Sequence, residues 1–100
     1  MSFQDLLTKT TEYLPPDKVE LVRQSYNFAA QAHDGQRRVS GEPYLVHPLN
    51  TALLLAELQL DSATVAAALL HDVIEDCGVS KATLAELFGA EVAKLVDGVT

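Results

Sequence analysis

The segment Val65-Ala66-Ala67-Ala68-Leu69-Leu70 leads without a polar side chain into His71-Asp72-Val73-Ile74-Glu75-Asp76. A run of that kind demands burial, yet the four ionisable groups that follow it are costly to bury unless they are paired or bound to a metal. A chain carrying both must enclose one helix and also satisfy the charged groups at its end.

Asp61 is a suitable N-cap, so the spacing predicts a helix from there to about Asp76. With His71 set at zero and roughly 100° per residue, Glu75 falls near about 40°, Asp72 near about 100° and Asp76 near about 140°. Leu69, Val73, Leu70 and Ile74 take the arc from about 160° to 300°. Thr64 and Ala68, both small, share the polar arc with His71 and leave room above the helix for a ligand. A divalent cation would relieve the repulsion among Asp72, Glu75 and Asp76, and an imidazole with a carboxylate suits Mn, Fe or Zn. The competing reading is that acids at the end of a helix simply face solvent. Against it, Glu75 and Asp76 stand at the helix end whose dipole disfavours anions, a broken local rule of the kind found at functional clusters.

Helices are expected elsewhere too. One runs from a cap at Ser2 to about Leu14, where Pro15-Pro16 stops it and opens a second. Val19, Val22, Tyr26, Ala29, Ala30 and His33 recur on one face of that second helix, which should be buried, with His33 a hydrogen-bonded core residue. Residues 34–43 hold two glycines and a proline and read as an irregular loop. The adjacent Arg37 and Arg38 in it read, on spacing alone, as solvated side chains. A third helix should run from Pro48 to about Leu58, a short one from a Ser80 cap to Phe88-Gly89, and a last from Ala90 to Asp97. A metal site on the fourth helix needs ligands from a second element, and His47, at the entrance of the third, supplies one.

The composition agrees with an all-α chain: 48% of the 100 residues are hydrophobic and only 6% aromatic, and few stretches alternate as strands do. Seven basic residues against fourteen acidic ones leave a net charge of −7. No broad electropositive surface is available for DNA or an anionic membrane, so an anionic ligand needs a bound cation and a few placed arginines. Cys77 is the only cysteine, which excludes an internal disulfide, and no export signal or membrane span is visible. The chain reads as cytoplasmic. It stops on Leu95-Val96-Asp97-Gly98-Val99-Thr100 without a polar tail, as a fragment would.

Taken together, Ala32-His33-Asp34-Gly35-Gln36, the stretch Arg38-Val39-Ser40-Gly41-Glu42-Pro43-Tyr44-Leu45-Val46-His47-Pro48, and Leu69 to Asp76 resemble the N-terminal hydrolase domain of the RelA/SpoT alarmone enzymes. The similarity extends through Tyr13-Leu14-Pro15 and Leu87-Phe88-Gly89 and is greatest to the hydrolysing bifunctional members. It implies an HD-domain helical bundle that hydrolyses guanosine tetraphosphate and pentaphosphate, removing the 3′-pyrophosphate in a Mn2+-dependent reaction that returns GDP or GTP. By the same resemblance His47, His71 and Asp72 are metal ligands, and Glu75 and Asp76 are the acidic pair that orients or activates water. Arg38 contacts the guanine base, with Ser40 in the same substrate loop. Synthetase-only relatives have a degenerate form of the His-Asp-x-x-Glu-Asp segment, whereas all four ionisable positions are present here. Val39 stands where relatives often carry a polar or basic residue.

The resemblance further implies that residues 1–100 are the N-terminal portion of the hydrolase domain. The family's fourth protein ligand, an aspartate, would lie beyond position 100, together with the synthetase and regulatory domains and any regulatory protein partner of the parent. Two other readings stay open on sequence: an HD phosphohydrolase for other nucleotides, and a non-catalytic folding or partner-binding fragment.

Overall fold

In the computed structural model, which describes residues 3–32, 46–71, 73 and 77–99, the elements are α1 (Phe3–Thr11), α2 (Pro16–Ala32), α3 (Val46–Glu57), α4 (Ser62–Leu70), α5 (Lys81–Phe88) and α6 (Ala90–Val99). No strand occurs among the described residues, so the expected all-α class holds. The Ser2 cap, the loop 34–43 and His33 lie outside the described residues.

Local chemistry accounts for most boundaries. The Pro15 carbonyl accepts from the amides of Lys18 and Val19 at 3.0 and 3.1 Å, and Pro16 fills the first turn of α2, where a missing N–H costs nothing. Helix α1 stops at Thr11, three residues short of the expected Leu14. The Thr10 hydroxyl donates to the Leu6 carbonyl at 2.9 Å, and that of Thr11 to the Leu7 carbonyl at 2.6 Å. Such hydroxyls compete for the carbonyls of the last turn, and a proline follows at position 15. Ser80 caps α5 by accepting from the Thr83 amide at 3.1 Å, and Gly89, at φ +99°, ends it. Both were legible in the sequence, although α6 runs on to Val99 rather than stopping at Asp97.

The end of α3 has no sequence signature. The Gln59 amide donates to the Ala56 carbonyl at 2.9 Å and the Leu60 amide to the Leu55 carbonyl at 3.2 Å, while Gln59 sits at φ +57°. This is a Schellman closure with glutamine in the left-handed position that glycine usually takes. One residue later Asp61 caps α4: its carboxylate accepts from the Thr64 amide at 3.3 Å and from the Thr64 hydroxyl at 2.7 Å. That hydroxyl bond is the main reason the Asp61 pKa lies below the ordinary carboxylate value. Tyr13 secures the same corner by donating to the Leu60 carbonyl at 2.7 Å. Burial, and secondarily the Asp61 charge, push its pKa up.

Helix α4 is the axis of the fold. All of its residues except the half-buried Thr64 are buried, as expected of a helix that is apolar on every side. It packs on α2, α3 and α6. On one side Ala63, Ala66, Ala67 and Leu70 meet Ala29 of α2, Leu84 of α5 and Val92, Ala93 and Val96 of α6. On the other, Val65, Ala68 and Leu69 meet Leu6, Val22 and the α3 residues Leu49, Ala52, Leu53 and Ala56. Two aromatic pairs flank these clusters, Phe3 stacked on Tyr26 and Phe28 edge-on to Phe88.

The expected face of α2 is buried at Val22 and Ala29 and half-buried at Val19, Tyr26 and Ala30, but its centre also holds Ser25. A serine is tolerated there because its hydroxyl donates to the Leu21 carbonyl at 2.8 Å.

One boundary needs correction. The fourth helix was expected to continue to about Asp76, whereas α4 ends at Leu70 with His71 as its C-cap at φ −61°, ψ −25°. The Ala68 carbonyl, in the last turn of α4, is met at 2.7 Å by the His71 ring. Val73 and Cys77 are again helical, and Gly78, at φ +71°, turns the chain towards α5.

Two stability measurements test these closures. Gln59→Gly relieves the left-handed position and should raise the unfolding free energy by roughly 0.5–1 kcal/mol in urea denaturation. Asp61→Ala should cost about 1 kcal/mol at neutral pH, with Asp61→Asn retaining most of it. Because the folded Asp61 pKa is lowered, the ionised cap contributes fully above the carboxylate range and is lost as pH falls through the folded value. The gap between wild type and Asp61→Ala should therefore narrow on acidification; a gap that widened would contradict the assignment.

Candidate functional site

The last two turns of α4 present Thr64, Ala67 and Ala68 one above another, and the two alanine side chains end at Cβ. With Thr51 and Leu55 of α3, Leu95 of α6 and the imidazole of His71, they line a cavity of about 390 Å3. The room expected beside His71 from the small residues at 64 and 68 is therefore present. Its walls are mainly aliphatic. The hydroxyl of Thr64 is engaged by Asp61, and among the described residues the imidazole is the ionisable group that lines the cavity. A charged phosphate would be poorly solvated against the aliphatic walls, which directs any charged part of a ligand to the His71 end.

His71 is half-buried, and its Nδ1 lies 2.7 Å from the Ala68 carbonyl oxygen. A carbonyl can only accept, so Nδ1 carries the proton of this hydrogen bond. That is the backbone anchor typical of metal-binding histidines, in which one ring nitrogen is held so that the other is oriented.

The second expected histidine stands on the neighbouring helix. His47 lies in the first turn of α3, next to the buried Pro48, and α3 packs along α4. Thr51 and Leu55, the α3 residues of the cavity wall, follow position 47 by four and eight residues along the same helix. Asp72, Glu75 and Asp76, like Arg38 and Ser40 of the expected substrate loop, lie outside the described residues. Among the described residues no three His, Cys, Asp or Glu side chains gather into a metal-binding group, and no helix is long and apolar enough to cross a membrane.

Sequence reasoning overlooked Thr51, Leu55 and Leu95 as cavity residues. Extending the helical register from His47 would have found the first two. Leu95 reaches the cavity only through the packing of α6 on α4, and no local pattern announces it.

A model of the HD domain family matches residues 25–100. A Vibrio cholerae protein named guanosine-3′,5′-bis(diphosphate) 3′-pyrophosphohydrolase is 54% identical over 98 residues, which is 98% of this chain and 14% of that protein. The bifunctional (p)ppGpp synthase/hydrolase SpoT of Escherichia coli K12 is 49% identical over 98 residues, again 98% of this chain and 14% of the relative. GTP pyrophosphokinase rsh of Brucella ovis is 43% identical over 96 residues, 96% of this chain and 13% of its own length. The chain thus spans about 14% of the length of these curated relatives.

The cavity can be probed by overpacking. Ala66, fully buried and away from the cavity, has no space for a larger side chain, so Ala66→Leu should cost about 1–3 kcal/mol. Ala67→Leu can extend into the cavity and should cost less than about 1 kcal/mol. Equal losses in thermal unfolding would mean that the space is not accessible to a side chain.

Proposed function

The chain belongs to the HD domain family, among the RelA/SpoT alarmone enzymes, and on that premise we propose that the whole protein hydrolyses guanosine tetraphosphate and pentaphosphate at the 3′-pyrophosphate. Residues 1–100 are then the N-terminal portion of its hydrolase domain. The observation that carries the reading is the His71 ring, fixed through Nδ1 by the Ala68 carbonyl at the mouth of a cavity. The names of the Vibrio and Escherichia relatives, a 3′-pyrophosphohydrolase and a (p)ppGpp synthase/hydrolase, support the choice of substrate.

The donor chemistry fits a divalent cation: an imidazole anchored through Nδ1, whose Nε2 would be the ligating nitrogen, on a helix end beside a helix that carries a second histidine. His71, His47 and Asp72 would hold it, and Mn2+ is the ion we assign. When bound, such a cation supplies Lewis acidity, drawing charge from phosphoryl oxygens and lowering the pKa of water.

The remaining steps belong to the side chains. Glu75 and Asp76 orient the water that attacks the 3′-phosphorus and accept its proton; the P–O3′ bond breaks, the ribose 3′-oxygen leaves and is protonated, and pyrophosphate and GDP or GTP are released. Arg38 offers a planar guanidinium to stack on and hydrogen-bond the guanine base, with Ser40 beside it in the substrate loop. We assign the protein to the cytoplasm, with neither DNA nor a membrane as partner: the net charge of −7 on these 100 residues offers no broad electropositive surface to either. Any regulatory protein would act on the parent chain.

The test uses the full-length protein. Purified with Mn2+, it should release pyrophosphate from guanosine tetraphosphate, and a chelator should abolish the release. His71→Ala should lower the rate by at least roughly 100-fold, since even supporting residues of metal ligands cost 10–100-fold. Glu75→Gln should reduce kcat by about 10²-fold or more with little change in KM, while Arg38→Ala should act mainly on KM. Absence of Mn2+-dependent pyrophosphate release would sink the proposal, and turnover of other nucleotides with Arg38 dispensable would favour a broader HD phosphohydrolase.

A further inference from the structure

We draw no further inference here: the strongest candidate, the apolar cavity that Thr51, Leu55, Thr64, Ala67, Ala68 and Leu95 form beside His71 between α3, α4 and α6, belongs to the site already described, and nothing in the structure shows what covers its Leu95 rim.

Discussion

Burial of α4 is the constraint on which the other elements depend. A nine-residue helix whose side chains are almost all enclosed needs partners on several sides at once, and α2, α3 and α6 supply them. The alanines make this feasible, because a helix with so many short side chains lets its neighbours approach closely and pack at native density. The two apolar clusters meet across this helix, so a disturbance of α4 reaches both. Leu69 and Leu70, each wholly enclosed, commit its C-terminal turn to opposite clusters and so fix where His71 emerges.

The polar groups at the two ends of α4 are handled differently. At the N-terminus Asp61 satisfies orphan amides and remains exposed, so its charge keeps contact with water. At the C-terminus the ring of His71 takes up a backbone carbonyl, and its position is then set by the core rather than by solvent. A site built on such a helix end inherits the rigidity of the packing beneath it, which is what precise orientation of a metal-binding nitrogen requires.

Much of this was legible in the chain before any coordinates. The apolar run before His71 announced the central helix; Asp61 and Ser80 announced caps; Pro15-Pro16 and Gly89 announced breaks. Each works through neighbours within a few residues, so the signal is local. Three features escaped. The positive φ of Gln59 escaped because glutamine has no preference for it, and Ser25 because its hydroxyl is satisfied within its own helix. The end of α4 at Leu70 escaped because the apolar periodicity runs on through Val73 and Ile74 and carries no stop signal at His71.

The candidate site divides in the same way. The sequence by itself determined the all-α class, the residue types suited to metal and phosphate chemistry, and the small residues that leave space beside His71. All of these follow from composition, register and short-range spacing along one helix. Only the tertiary structure decided that the space is a cavity closed by Leu55 and Leu95, and that His47 rides on the helix packed beside the one ending at His71. The physical reason is that a cavity wall is made by the packing of helices distant in sequence, and packing depends on how side-chain volumes on several faces are filled together.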